Sequence, residues 1–253
     1  MGGPAMAKTL EARILDVTAV DIATRRAMFA IYEQYYEPAI WAVFERDLDD
    51  KDEVLLLSDI HGALRGFSTM KTWCVETPLG RKRLLFSGDT IIEQAFWGLQ
   101  ALPFRWIEHA GAILAASPET PLFWFLISKG HRTYRYLNAF AHVYYPTWQQ
   151  QTPTAMSALI ELAGRNVFGS RYCAETGVVR ADAAGARLRA EFTGIDANRR
   201  PNPETAFFLA RNPGWCRGDE LLCFCELSAA NLKPPARAQF LKGYHGTRLG
   251  AAS

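Results

Sequence analysis

Long hydrophobic runs are absent from these 253 residues. The nearest to one, Leu122 to Ser128, is strand-sized, whereas a bilayer-crossing helix needs about 20 apolar residues. The opening MGGPAMAK has no apolar leader core, and Met6 stands where N-myristoylation wants Ser or Thr. A cytoplasmic protein with no membrane partner is the expectation. An excess of one charge is missing too. Lys and Arg number 28 against 26 Asp and Glu, and the resulting +2 gives no reason to expect a nucleic-acid partner. Arg81-Lys82-Arg83 is a short basic run that reads as a solvated strand start. Cysteines are few and odd in number, five, which without a secretory signal points to reduced thiols. Cys223 and Cys225 would share one face of a strand, and no second ligand pair follows. Buried structural thiols and no metal are expected. The sequence has no G-x-S-x-G, G-x-G-x-x-G or Walker loop, which removes the hydrolase, dinucleotide and P-loop readings. Repeats and low-complexity linkers are also missing. One domain is therefore expected over residues 9–240, a core of 10–150 and an extension of 151–240 that completes the sheet. Residues 1–8 and 241–253 read as flexible tails.

What is present is core material: 49% hydrophobic residues, with 15 Phe, 9 Tyr and 7 Trp. Glu11 to Val17 alternates as a first strand. Thr18 to Asp21 offers helix-start chemistry, and Ile22, Met28, Phe29, Tyr32 and Tyr36 recur at helical spacing. Pro38 ends that helix or starts a second short helical turn. Phe44 to Lys51 reads as an acidic, exposed segment. Glu53–Ser58 and Ala63–Glu76 form a hairpin about Asp59-Ile60-His61-Gly62. Arg83 to Ala95 is a long strand, in which Gly88 suggests a bulge or a close backbone approach. A helix follows to about Ala116, with Phe104, Ile107, Ala110 and Leu114 inward and Gly111 as a cost in propensity. Leu122 to Ser128, bounded by Pro121 and Gly130, is a buried central strand. Arg132 to Tyr145 reads as a helix stopped by Pro146, and Ser157 to Gly164 as another. Arg187 to Phe192 is a charged strand or helix. Thr205–Arg211 and Glu220–Leu227 read as strands about a turn-rich connector, residues 212–219. The chain after Leu232 is polar.

This order (strand, helix, hairpin, long strand, glycine-containing turn, helix, buried strand, helix, late strand pair) resembles the GCN5-related N-acetyltransferase (GNAT-like acyltransferase) family. The resemblance covers roughly residues 10–150. It implies an α/β (α+β) fold, a mixed, mostly antiparallel sheet with a splayed central parallel strand pair and flanking helices. It also implies acyl-CoA (acetyl-CoA or a longer acyl-CoA) as co-substrate. In the family the parted strands hold the pantetheine arm, and the turn after the fourth strand places a helix N-terminus at the pyrophosphate, where unpaired N–H groups favour an anion. By resemblance the apolar pair before that turn falls on Ile91 and Ile92, and the turn on Trp97, Gly98, Leu99, Gln100 and Ala101. Only Gly98 matches the family pattern well; Gln100 and Leu102 stand where it carries small residues. The family's thiolate-protonating tyrosine falls on Tyr144, with Tyr145 beside it, in Val143-Tyr144-Tyr145-Pro146.

Acyl transfer to an amine needs a neutral nucleophile, a polarised carbonyl and a protonated leaving thiolate. Asp89 and Glu93 are candidates for the base or for holding a substrate ammonium. They share a strand face with Ser87 and Ile91 if no bulge intervenes. The plainer alternative pairs them with Arg83 or Arg105. Tyr134 and Tyr136 read as core; His131 as a surface residue or a base; Lys129 and Arg132 as candidate phosphate contacts. The aromatics of Arg26–Tyr36 and Trp41 suggest a roomy cleft for a bulky or apolar acceptor. The expected activity is acyl transfer from an acyl thioester to a small-molecule amine acceptor. Two alternatives stay open. An acyl carrier protein could be the donor, met by Arg81, Lys82, Arg83, Arg105, Lys129 and Arg132, or the chain could be a non-catalytic GNAT-like binding module. A homodimer also stays open.

Overall fold

The computed structural model describes residues 9–182, 185–193 and 202–250. The expected N-terminal tail, residues 1–8, lies outside them. In chain order the strands and helices are β1 (Leu10–Asp16), α1 (Ile22–Tyr35), β2 (Tyr36–Glu37), α2 (Trp41–Asp49), β3 (Glu53–Asp59), β4 (Leu64–Val75) and β5 (Lys82–Ile92). Then come α3 (Ala101–Ala116), β6 (Leu122–Ser128), α4 (His131–Phe140), α5 (Thr154–Phe168), β7 (Tyr172–Cys173), β8 (Val178–Val179), β9 (Arg187–Leu188), α6 (Pro203–Arg211), β10 (Glu220–Glu226) and α7 (Pro234–Gly250). No described helix is long and apolar enough to cross a membrane.

Eight strands form one sheet in the order β1-β3-β4-β5-β6-β10-β8-β7. Every pairing is antiparallel except β5 with β6, which run parallel. This is the expected mixed, mostly antiparallel sheet with one central parallel pair. Strand alternation sends side chains to opposite faces. Leu55, Leu57, Met70, Leu85, Trp124, Leu126 and Cys223 go to one face, under α3, α4 and α7. The other face carries two separate apolar clusters. Val54, Leu56, Phe67 and Ile91 lie under α1 and α2. Leu84, Phe123, Phe125, Leu222 and Phe224 lie under α5. Cys223 and Cys225 share the first face, and burial pushes the Cys225 thiol up to about 12.

Several elements differ from the sequence expectation for identifiable reasons. Phe44 and Leu48, four residues apart, are buried on the inner face of α2, so the segment Phe44–Lys51 is not simply exposed. The helix read to Tyr145 ends at Phe140. Ala141 and Tyr145 instead bridge Leu232 and Phe224 in extended conformation, which the residue before a proline favours. Thr205–Arg211 is helical, not a strand. Asn202 caps it by accepting from the Thr205 N–H at 2.9 Å, with Pro203 in the first turn. Residues 241–250, read as tail, are the last turns of α7. That helix lies so close to α3 that a Cβ on Gly111 would run into the Phe240 carbonyl, and one on Gly243 into that of Glu108.

Candidate active-site cleft

The strand pair that matters opens at Gly88. From Ser68↔Thr90 to Met70↔Ser87 the register shifts, so that Thr69 of β4 faces both Gly88 and Asp89 of β5. This is a β-bulge, and glycine is needed because a Cβ would run into Thr69 Oγ1. Pairing of β5 with β6 stops at the same place, at Ser87↔Leu126. The β6-facing edge of Gly88–Ile92 is left without a strand partner, and a cleft of 1320 Å³ opens through the gap. Buried or cleft-facing backbone groups must bond to something.

The bulge also separates residues that plain alternation would put together. Ser87 turns toward α3, where its Oγ accepts from Trp124 Nε1 at 2.9 Å. Asp89 turns toward α1 and α2. The shared face expected for Ser87 and Asp89 is therefore corrected. Asp89 is half-buried in the cleft, and among the described residues no hydrogen bond is recorded to its carboxylate. Burial pushes its pKa up to about 6; Lys129 and Lys51 pull it down, while Asp47 and Glu220 push it further up. Lys129 lies 3.8 Å from Glu220 and 5.3 Å over the Tyr36 ring. Burial works against the Lys129 charge, but the carboxylates of Glu220 and Asp89 outweigh it and raise its pKa. Tyr32 and Tyr36 stack at 4.8 Å beside this group, their hydroxyls held protonated chiefly by burial.

The opposite side of the cleft is formed by α3 and α4. Trp106 is 3% exposed, its Nε1 has no hydrogen-bond partner among the described residues, and its ring lies 4.6 Å from that of Trp124. His131, first residue of α4, has a buried Nδ1 without a partner among the described residues. Burial, reinforced by Arg132 and Arg135, lowers its pKa, so the ring is neutral at pH 7. Both line the cleft, as do Trp97, Ile91, Ile92 and Tyr136. Arg132 stacks on Trp97 at 4.6 Å.

Other sequence candidates lie elsewhere. Tyr144 is 1% exposed and packs edge-on against Tyr134, while Tyr145 pairs through its backbone with Phe224; neither lines the cleft. The expected tyrosine is displaced because α4 ends four residues before it. Glu93 accepts from Arg65 at 3.2 Å and is outside the cleft, so its partner is neither Arg83 nor Arg105. Gly98, Leu99, Gln100 and Ala101 are not cleft-lining either, whereas Leu102 and Pro103 are. Gly98 has φ +89°, and the Gln100 side chain folds back to donate to its carbonyl at 3.0 Å. Among the described residues no group of three or more His, Cys, Asp or Glu is placed to hold a metal. The sequence reading missed Glu220 and Trp106 as site residues, while Tyr36 belongs to the aromatics of Arg26–Tyr36 expected at a cleft.

No protein-family profile and no curated protein matches the chain. Solved structures that resemble it include the GNAT family N-acetyltransferase YhbS of Escherichia coli in complex with CoA. It is 13% identical over 55% of this chain and 72% of that one, with a TM-score of 0.37. An acyl-CoA N-acyltransferase of Pseudomonas aeruginosa is 16% identical over 52% and 88%, with a TM-score of 0.34. A conserved Enterococcus faecalis V583 protein of unknown function, a probable N-acyltransferase, is 16% identical over 49% of this chain, with a TM-score of 0.37. The match spans 31% of that last protein. Likenesses this weak carry no functional argument, and the architecture stands on the sheet itself.

Proposed function

We propose that the protein transfers an acyl group from an acyl-CoA to the amine of a small molecule held in the cleft. The observation that carries this reading is the parting of parallel strands β5 and β6 at the Gly88 bulge, with the unpaired Asp89 carboxylate at the opening. The unpartnered edge of Gly88–Ile92 suits a chain of amides such as pantetheine, and the orphaned Trp106 Nε1 and His131 Nδ1 suit polar atoms of the same arm.

The amine nitrogen attacks the thioester carbonyl carbon; the C–N bond forms and the C–S bond breaks. The bound ammonium gives up two protons. One passes through Asp89 to solvent, which a carboxylate of raised pKa does better than an ordinary one. The other ends on the thiol. Tyr136 and neutral His131, on the α4 wall, are the proton-carrying side chains on that side. Of the expected turn, Trp97 lines the cleft, and Gly98, Leu99, Gln100 and Ala101 do not.

A thermal melt against CoA, acetyl-CoA and longer acyl-CoAs tests the reading. Ligand at a hundred times its dissociation constant stabilises by about 2.7 kcal/mol, or roughly 5–10 °C for a chain of this size. A shift that grows with one acyl length is the expected result. No shift with any acyl-CoA overturns the proposal.

A further inference from the structure

The cleft continues past the bulge along the α5 face of the sheet. Strand alternation puts Trp73 and Val75 of β4, Phe86 of β5 and Ile127 of β6 on that face, and all four line the cleft. The rings form a connected floor. Trp73 and Phe86 are 6.4 Å apart, and they meet the buried Phe125 at 5.3 and 5.8 Å. Phe168 of α5 stacks on Phe125 at 5.9 Å and lines the cleft as well. The floor begins at the strand opening, because a Cβ on Gly88 would lie 3.4 Å from Cε1 of Phe86. It ends at Val75, whose register partner is Lys82. Six residue steps along β5 separate Gly88 from Lys82, about 20 Å at about 3.3 Å each.

Val43 of α2 and Val167 of α5 are 37% and 44% exposed and line the same cleft. Single exposed valines need no explanation, but two at a partly exposed aromatic floor mark a groove for an apolar ligand. The charges of the cleft call for no ion. Its lining carries six cations and six carboxylates. Those nearest the floor pair with one another, Lys51 with Asp47 at 2.9 Å and Lys71 with Asp50. Lys129 and Glu220, 3.8 Å apart, lie in the opposite direction, since β10 pairs with β6 in the register Leu221↔Ser128. The cleft therefore has a charged arm at Lys129 and Glu220 and an apolar arm from Phe86 to Val75. Asp89, next to Gly88 and in the field of both Lys129 and Lys51, stands where the two arms meet.

We infer that the apolar arm holds the acyl chain of the donor, and that this chain has about eight carbons or more, enough to use a floor of about 20 Å. The donor class is then a medium- or long-chain acyl-CoA rather than acetyl-CoA. This rests on the acyl-transfer reading, which puts the thioester carbonyl at the strand opening; the chain leaves that point directly onto Phe86. Trp73, Val43 and Val167 line its path. Calorimetric titration of the full chain with CoA, acetyl-CoA and octanoyl-CoA reads the chain site without an acceptor. A fully buried methylene is worth about fourfold in affinity, so in a groove open along one side octanoyl-CoA should bind at least about thirtyfold more tightly than acetyl-CoA. Val43→Asp and Val167→Asp, both at exposed positions, put a carboxylate against the chain. Each should cut the octanoyl-to-acetyl ratio by about fivefold or more.

Equal binding of acetyl-CoA and octanoyl-CoA overturns the inference and leaves the transfer reading standing. An octanoyl preference that neither variant reduces puts the chain elsewhere and also overturns it. An octanoyl preference lost in the variants, in a protein that transfers the chain to no amine, keeps the chain site and overturns the transfer reading. Failure of CoA and both thioesters to bind overturns the two together.

Discussion

Replacing Asp89 by asparagine should stabilise the protein and disable it at once. The carboxyl is pushed up to about 6 from an ordinary 3.8 by burial, with Asp47 and Glu220 adding to the push and Lys129 and Lys51 opposing it. The folded protein therefore holds this proton more tightly than the unfolded chain does. Its contribution to stability is complete below about pH 4 and is lost as pH rises through about 6. About two units at 1.36 kcal/mol each set a ceiling of about 3 kcal/mol, and the partial exposure of the side chain puts the working range at about 1–3 kcal/mol. Asparagine has the same shape and never ionises. Asp89→Asn should melt roughly 3–8 °C above the parent at pH 8 and within a degree or so of it at pH 4. Turnover of acyl-CoA with an amine acceptor should fall by about a hundredfold or more if Asp89 carries the proton, and the parent's kcat/KM should decline below about pH 6, where the base becomes protonated. Parallel melts at pH 4, 6 and 8 and an initial-rate pH profile measure all of this. A variant that melts at or below the parent at pH 8 refutes the burial argument. One that melts higher but keeps full turnover refutes the catalytic one.

Two other substitutions test packing and assignment. Gly111→Ala would gain about 1 kcal/mol on an open helix, but against the Phe240 carbonyl it should cost about 1–3 kcal/mol in overpacking and lower the melting point by a few degrees; a rise would show that α3 and α7 separate freely. Tyr144→Phe should leave turnover within about twofold, since the residue packs on Tyr134 away from the cleft, and a hundredfold loss would return it to the role the family resemblance gave it.

The parts of the fold legible in the sequence are those set by local patterns. The β3–β4 hairpin follows from two apolar runs about a glycine turn, and β6 from seven consecutive buried-type residues between Pro121 and Gly130. Gly88 announced the bulge. Local rules competed at α6, where Thr205, Phe207 and Phe208 favour a strand while Asn202 and Pro203 start a helix; the cap won. The site is harder to read because its charges meet through pairing distant in sequence. Asp89 could be picked out from strand position alone. Glu220 comes beside Lys129 only because β10 pairs with β6 in the register Leu221↔Ser128, which no spacing along the chain specifies. Tyr144 is the opposite case: a short motif match located it, and the backbone leaves the helix at Phe140 and carries it into the core.

The structure also bears on what could bring the acyl group. A carrier protein would need a continuous basic surface near the opened strands, and the six cations considered for it do not form one. Lys129 is turned inward onto Glu220. Arg105 pairs with Glu108 on its own helix, Arg81 with Glu76, Lys82 donates to the Leu79 carbonyl and Arg83 to that of Ser117. The basic triplet sits at the start of β5, where Cys74 and Val75, the register partners of Arg83 and Lys82, reach one end of the cleft. Lys82 and Ile92 begin and end β5, and at about 3.3 Å per residue that strand is about 33 Å long. Arg81, Lys82 and Arg83 thus sit at the far end of β5 from the turn that leads into α3. Of the six, Lys129 and Arg132 line the cleft; Arg132 has no ion pair among the described residues and is stacked on Trp97. One arginine on an aromatic ring is the size of a contact to a small anionic group, not to the acidic face of a protein. A free acyl-CoA therefore fits the charge distribution better than a carrier-bound acyl group, which is why the melt against CoA thioesters comes before any carrier assay.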